Sequence, residues 1–115
     1  MNPQDEKKMS PQVVLSLYRP HEGKDAELRE LIAQHIPTLR RLELITDRTS
    51  ITVKSKNGTY IEIFEWRTSE SAHAAHHHPE LAKVWEAMSK VCDFPALESL
   101  DEATTRFPNF DPINL

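Results

Sequence analysis

Apolar and polar positions in the first third of the chain predict a strand followed by a helix. The run VVLSLY at residues 13–18 is short, β-branched and apolar on both alternating faces, which is typical of a buried strand. After the connection RPHEGK, apolar residues recur at helical spacing, namely Leu28, Leu31, Ile32, Ile36 and Leu39. Pro37 lacks an amide hydrogen, so we expect this helix to kink or restart there.

The segment SITVKSKNGTYIEIFEW carries the clearest local signal in the chain. Asn57-Gly58 lies between two alternating runs, and this dipeptide favours a two-residue type I′ hairpin turn. Such a turn places Lys56 opposite Thr59 and sets the register of the ribbon. One face of the ribbon would carry Ile51, Val53, Tyr60, Glu62, Phe64 and Trp66. The other face would carry Thr52, Lys54, Ile61, Ile63 and Glu65.

The sequence of the second half of the chain predicts two helices and a final strand. TSESAHAAHHH begins with capping residues and predicts a short helix, with Pro79 at the first position of the next one. That second helix has a continuous apolar stripe, formed by Leu81, Val84, Trp85, Met88, Val91 and Cys92. FPALESL at residues 94–100 is the best remaining place for a strand, and we expect the tail RFPNFDPINL to be extended and draped over the domain or a partner.

This element order predicts an α+β, ferredoxin-like βαββαβ fold with an antiparallel sheet. Helices cover only one face of such a sheet. With Leu15 and Leu17 turned towards the helices, the open face would carry Val14, Tyr18, Ile61 and Ile63. An apolar open face predicts a homodimer whose two sheets pack face to face. The alternative is a face that stays solvated beside Lys54 and Glu65.

Length, composition and charge limit the classes of protein to which this sequence can belong. The 115 residues, 38% of them hydrophobic, suit a single domain over residues 12–115, preceded by a flexible arm at residues 1–11. A net charge of -4 offers no basic field for nucleic acid. No apolar stretch approaches the roughly 20 residues that span a membrane, and the polar start is no signal sequence, so we expect a cytoplasmic protein. Cys92, the single cysteine, is predicted to be a buried small hydrophobe.

Four of the six histidines lie in the run AHAAHHH. On a helix, His73 could share a face with His76 or His77 and hold two corners of a metal site. No third ligand, cysteine pair or H-E-x-x-H motif accompanies them. We therefore favour a helix corner, with His76 turned into the domain and His78 at the junction, and predict no metal.

Glu62 is the most unusual residue of the predicted hairpin, since it shares its face with Phe64 and Trp66. A carboxylate among apolar groups must be paired, hydrogen-bonded or protonated. His35 lies in the apolar stripe of the first helix and could meet it there. Glu62 could then act as a general base or bind a ligand oxygen. The alternative is a structural pair with His35 or Arg19 and no chemistry.

Three runs resemble one known group of proteins: YRPHEGKDAELRELIAQHIPTLRRLELITDR, GTYIEIFEW and HPELAKVWEAM. They resemble the dimeric α+β barrel superfamily that includes the antibiotic-biosynthesis monooxygenases, and more closely its uncharacterised bacterial members. The resemblance covers residues 12–110 and implies a dimeric barrel with a pocket between helices and sheet. That superfamily holds cofactor-independent oxygenases, heme-degrading enzymes, isomerases and stress-response proteins, so the fold alone does not choose among them.

The heme-degrading branch of that superfamily has a recognisable pattern. It uses an asparagine on the first strand, a tryptophan ending the third strand and a heme-ligating histidine in the last long helix. Trp66 matches the tryptophan, but VVLSLY has no asparagine. Val84, Trp85 and Glu86 lie where the histidine would fall. A heme or histidine-based metal enzyme is therefore the disfavoured alternative, and we expect no cofactor.

The function favoured by these features is a dimeric small-molecule-binding protein that acts as a cofactor-independent monooxygenase on an aromatic or polyketide-like compound. Glu62 and His35 are the candidate catalytic residues. The candidate ligand-binding residues are Trp66, Tyr60, Phe64, His76 and Trp85. The alternative is a non-catalytic dimeric binding or stress-response module whose pocket is small or filled.

Overall fold

A computed structural model describes residues 9–115, so most of the arm predicted at residues 1–11 lies outside the described residues. Within that range the elements are β1 (Gln12–Pro20), α1 (Asp25–Arg41), β2 (Ile51–Lys54), β3 (Tyr60–Trp66), α2 (Ser69–His76), α3 (Pro79–Val91), β4 (Cys92–Asp93) and β5 (Asp111–Pro112). The strands form one antiparallel sheet in the order β4-β1-β3-β2-β5. The predicted α+β class is confirmed, and the order of the first four strands is consistent with a ferredoxin-like plan.

Helix α1 buries the predicted apolar stripe against the sheet, with His35 among the buried residues. It runs without interruption through Pro37, so the predicted restart at that residue is wrong. Pro37 is exposed, and its ring removes only the hydrogen bond to the carbonyl of Ala33, four residues earlier. The remaining bonds of a 17-residue helix are enough to continue it. No helix of residues 9–115 has the length and apolar character needed to cross a membrane.

The two predicted helices of the second half are confirmed, and their first turns are capped as the sequence indicates. The hydroxyl of Thr68 accepts a hydrogen bond from the backbone N–H of Ser71 at 3.1 Å and begins α2. His78 Nδ1 accepts from the backbone N–H of Glu80 at 3.3 Å, and Pro79 begins α3. Cys92 is buried as predicted, and burial, with a smaller effect from Asp93, raises the pKa of its thiol to about 11.

The hairpin between β2 and β3 has a three-residue loop, so the predicted two-residue turn at Asn57-Gly58 is wrong. Ser55 N donates to the carbonyl of Thr59 at 2.8 Å, which leaves residues 56–58 as the loop. Gly58 N donates to Ser55 O at 3.0 Å and Gly58 has a φ of +91°. A turn followed by a left-handed glycine is the usual geometry of a three-residue hairpin.

This longer loop shifts the register of β2 by one residue. Lys54 pairs with Tyr60, and Val53 pairs with Ile61. The alternation predicted for β3 holds, because Glu62 faces the helices, but β2 is turned over relative to the prediction. Its apolar side chains Ile51 and Val53 therefore lie on the open face, whereas its polar residues lie on the helix side.

The prediction of which β1 side chains face the helices is also wrong. Leu15 pairs with Ile63 and Leu17 pairs with Ile61, so both leucines lie on the open face. Val14, Ser16 and Tyr18 face the helices instead. Because both faces of VVLSLY are largely apolar, alternation along this strand could not decide its orientation. The decisive feature is Tyr18, whose hydroxyl donates to Glu62 at 2.9 Å on the helix side.

Residues 94–110, here called the strap, cross the open face and form no strand. The predicted strand at 94–100 is therefore wrong, since pairing ends with Cys92–Asp93 beside Arg19–Pro20. Leu100 and Phe110 of the strap pack on Leu17 and Ile61. Beyond the strap, β5 adds to the edge of β2.

A carboxylate fastens the strap to the hairpin loop. Glu102 accepts a hydrogen bond from the hydroxyl of Ser55 at 2.6 Å and another from the backbone N–H of Lys56 at 3.0 Å. These two bonds, the Ser55 bond first, hold the pKa of Glu102 below its usual value. Part of the open face is therefore covered by the chain itself.

Replacing Gly58 by alanine is expected to lower the free energy of unfolding by about 1 kcal/mol. A Cβ at this position meets no atom within 4 Å, so the cost comes from the positive φ rather than from a clash. Urea unfolding followed by circular dichroism measures it. Lys56→Ala, at an exposed position of the same loop, serves as the control and should stay within about 0.5 kcal/mol of wild type. Equal stability of the two variants would contradict the three-residue loop.

Candidate functional site

Four side chains from four elements form one buried hydrogen-bonded group, here called the polar chain: Tyr18 of β1, Glu62 of β3, His35 of α1 and Trp85 of α3. The Tyr18 hydroxyl donates to Glu62 Oε1 at 2.9 Å. His35 Nδ1 lies 2.7 Å from the same oxygen. Trp85 Nε1 donates to His35 Nε2 at 2.9 Å. The sequence places His35 and Glu62 on elements that pack together, and the two residues are in direct contact.

The partners of His35 determine where its proton lies. An indole N–H can only donate, so Nε2 of His35 must be an acceptor and carry no proton. The imidazole is therefore neutral, with its proton on Nδ1, and it donates to the Glu62 carboxylate. A carboxylate that fixes the tautomer of a histidine in this way leaves the opposite nitrogen basic.

Glu62 is fully buried but only half satisfied. Its exposed fraction is 0%, and Oε1 accepts from both Tyr18 and His35. Among the described residues, Oε2 has no hydrogen-bond partner. Burial, and after it the charge of Glu62, raises the pKa of Tyr18 well above 10.0. The phenol therefore stays protonated in neutral solution and remains a donor to the carboxylate.

A cavity of about 720 Å³, here called the central cavity, lies between the helices and β1 and borders the polar chain. Its walls combine aliphatic side chains with a group of aromatic and imidazole rings, namely Tyr18, His35, Phe64, Trp66, His76, Trp85 and Phe94. The rings meet edge to face: Phe64 and Trp66 have centroids 5.1 Å apart, and His35 and Phe64 5.8 Å apart. Such walls suit a flat aromatic ligand, because rings can pack on its faces and edges.

The residues predicted from the sequence fall into three positions. His35, Phe64, Trp66, His76 and Trp85 border the central cavity. Glu62 does not border it but lies behind His35 and Tyr18. Tyr60 lies apart in the core, where it is fully buried and its hydroxyl donates to Asp25 Oδ1 at 2.7 Å.

The histidine run takes the helix-corner arrangement. His73 and His77 are exposed, with ring centroids 4.9 Å apart, and His78 caps α3. His76 packs beside Trp85 at 5.0 Å between centroids but remains exposed, so the prediction that it turns into the domain is not met. Within residues 9–115 no three His, Cys, Asp or Glu side chains are grouped so as to hold a metal ion. Arg19, the other partner considered for Glu62, bonds to Thr59 instead.

Two residues of the site were not predicted. Tyr18 was assigned to the open face because the phase of β1 was ambiguous. Ser16, which pairs with Glu62 in the sheet, lies on the same face as Tyr18, but a single serine in a strand with two largely apolar faces does not show which face meets the helices. Phe94 was read as part of a strand, whereas its ring packs edge to face on Tyr18 at 5.9 Å.

The open face of the sheet divides into rows of apolar residues. The row Leu17, Ile61 and Val53 packs against the strap, and a second, largely apolar cavity of about 600 Å³, partly open to solvent, lies between strap and sheet. In the next row, Leu15 and Ile63 also border this cavity, whereas Ile51 does not. Leu15 is 45% exposed and Ile51 54%, with Val13 beyond them at 58%. Val13, Leu15 and Ile51 thus leave an exposed apolar surface on this face.

Comparisons with models of known protein families and with curated proteins find no match for this chain. The resemblance to the dimeric α+β barrel superfamily therefore remains a prediction from the sequence. Any function proposed for the site rests on the geometry of its own residues.

Proposed function

We propose that the protein is a homodimeric, small-molecule-binding protein of the dimeric α+β barrel type that oxidises an aromatic or polyketide-like compound without a cofactor. The observation that carries this proposal is the polar chain beside an aromatic cavity. His35 Nε2 is a basic nitrogen at the cavity wall, and the buried Glu62 carboxylate supports it from behind.

The chemistry begins with proton removal. His35 Nε2 takes a proton from an acidic C–H or O–H of the ligand, and the resulting imidazolium is stabilised by Glu62 at 2.7 Å. In the ligand-free protein Nε2 is occupied by the Trp85 N–H, so the indole must swing aside when the ligand binds. Glu62 touches no ligand in this scheme and is a positioning residue.

The deprotonated ligand supplies the electrons for oxygen. A polycyclic anthrone deprotonated at the ring methylene opposite its carbonyl gives an electron-rich carbanion, which reacts with O₂ to form a peroxide anion. This anion takes back the proton from His35 to give a hydroperoxide, which loses water to give the quinone. The overall change is anthrone plus O₂ to anthraquinone plus water, which balances without a further oxidant or reductant.

The exposed apolar surface of the open face supports the dimer. Leu15 and Ile51 lie in one exposed row, and Val13 extends it. A second copy of the chain would cover this surface with the same residues about a twofold axis. The aromatic residues of the central cavity lie on the helix side of the sheet, but Leu15 also borders this cavity, so the proposed interface would lie beside one edge of the site.

The test combines ligand binding with oxygen uptake, using 1,8-dihydroxyanthrone as the probe. Both tryptophans of the chain border the central cavity, so their fluorescence reports binding there. We expect Glu62→Gln to bind the probe with a dissociation constant within about threefold of wild type while oxygen uptake falls by at least about 100-fold. Glu86→Gln, the same change on the exposed side of α3, is the control and should change neither quantity.

The other outcomes separate the alternatives. Binding without any oxygen uptake in the wild type would favour the non-catalytic binding module. A Glu62→Gln variant that loses stability but keeps its turnover would make Glu62 a structural acid. A wild-type protein that neither binds nor oxidises the probe would contradict an anthrone-like substrate.

A further inference from the structure

A third cavity lies on the other side of Glu62. It has a volume of about 300 Å³ and is here called the tail cavity. Its walls come from α1, the start of β2, Glu62 and the last residues of the chain, Ile113, Asn114 and Leu115. The central cavity does not include Glu62, whereas the tail cavity does. Glu62 therefore lies between the two cavities and borders only the tail cavity. Its two carboxylate oxygens have different environments.

Hydrogen-bond acceptors that lack a donor lie at the wall of the tail cavity. Among the described residues, Glu62 Oε2 has no hydrogen-bond partner although it is fully buried. Pro37 borders the same cavity and has no N–H, so the carbonyl of Ala33, also at the wall, lacks its helical donor. Ser50 and Thr52 add hydroxyl side chains to the wall. Among the described residues that line this cavity there is no lysine, arginine or histidine.

Water is the ligand that fits these groups. A buried carboxylate oxygen without a donor is costly, and a water molecule can donate to two acceptors at once. A cavity of about 300 Å³ has room for several water molecules. The cavity is partly open to solvent, and the segment at residues 113–115 forms part of its wall beside Glu62. Ile113 is held by its N–H to Thr52 O at 2.9 Å, while Asn114 and Leu115 are exposed.

We propose that the tail cavity is a water site on Glu62 Oε2 and that the segment at residues 113–115 is its lid, through which the polar chain exchanges protons with solvent. Water admitted at Oε2 hydrates the carboxylate, and a water molecule that displaces the His35 Nδ1–H from Oε1 exchanges that proton with solvent. This inference concerns the same carboxylate as the proposed function, but a water site on Glu62 does not require any reaction.

The test measures how fast the His35 Nδ1–H exchanges with water, by magnetisation transfer in ¹⁵N-edited NMR spectra. Ile113→Ala shortens the lid's apolar anchor, and we expect it to accelerate this exchange at least tenfold. The Trp85 Nε1–H faces the central cavity and should keep its exchange rate. Val84→Ala is the matched control, because both residues are partly buried aliphatics packed against the same core cluster and Val84 does not border the tail cavity.

Faster exchange in Ile113→Ala with Val84→Ala unchanged supports the lid. An unchanged rate in Ile113→Ala overturns it, and so does equal acceleration in both variants, which would indicate opening of the whole core. Because the readout needs no substrate, a protein inactive towards 1,8-dihydroxyanthrone would remove the proposed oxidation and leave the water site standing.

Discussion

Replacing His35 by leucine is expected to lower the free energy of unfolding by about 3–5 kcal/mol, the usual cost of breaking a buried pair from one side. Leucine fills a similar volume, so little of the loss comes from packing. It leaves Glu62 fully buried with Tyr18 as its remaining donor and leaves the Trp85 N–H without its acceptor. Urea unfolding of the purified variant measures the effect.

The double variant His35→Leu/Glu62→Leu distinguishes a broken pair from a lost contact. Removing both partners eliminates the buried charge, and the Tyr18 hydroxyl and Trp85 N–H can hydrate in the central cavity that both border. The double variant should therefore lose less than half of what His35→Leu alone loses. Gln34→Leu, at the neighbouring exposed position of α1, should stay within about 0.5 kcal/mol of wild type. A double variant less stable than the single one would contradict a charged, buried Glu62.

Ile51→Glu should weaken the homodimer about 1000-fold in dissociation constant, equivalent to about 4 kcal/mol. Ile51 is 54% exposed in the single chain and lies on the exposed apolar surface of the open face. A second copy would bury two carboxylates there without partners. Ile51 borders none of the three cavities, so ligand binding within each subunit should be retained.

Sedimentation velocity across a range of protein concentrations gives the dissociation constant. Ala82→Glu places the same charge at an exposed position of α3, on the helix side of the sheet, and should leave the dimer intact. A wild-type chain that stays monomeric at high concentration, or an Ile51→Glu dimer as tight as wild type, would contradict assembly through this face.

Helices were predictable from this sequence because their signals are local and repeated. The stripe of α1, the Thr68 cap of α2 and Pro79 at the start of α3 each follow from residues a few positions apart. The continuation of α1 through Pro37 was not predictable, since it depends on packing along the whole helix rather than on the proline alone.

Strand orientation was harder to predict because one residue of loop length reverses every side chain of a strand. Asn57-Gly58 fits both a two-residue turn and the last positions of a three-residue loop. The choice was decided by tertiary contacts, including Glu102 of the strap, which bonds to the Ser55 hydroxyl. Sequence alone could not anticipate a partner 47 residues away.

Only part of the functional site was predictable, again because the orientation of a strand does not follow from local sequence. Glu62 and His35 were found because each is a polar residue at an apolar position, and Trp85 belonged to the stripe of its helix. Tyr18 was missed, because its role depends on the orientation of β1. The distinct environments of the two Glu62 oxygens depend on the fold of the tail and have no counterpart in the local sequence.

The most direct test of the proposed site is an NMR titration of uniformly ¹⁵N-labelled protein with 1,8-dihydroxyanthrone under nitrogen, following the side chains of Trp85 and His35. In the free protein we expect the His35 proton on Nδ1 and a hydrogen-bonded Trp85 Nε1–H. At saturation the Trp85 resonance should shift as the indole leaves Nε2, and His35 should become protonated on both nitrogens. Binding that moves only strap and open-face signals, with both of these unchanged, would contradict the central cavity as the site and His35 as its base.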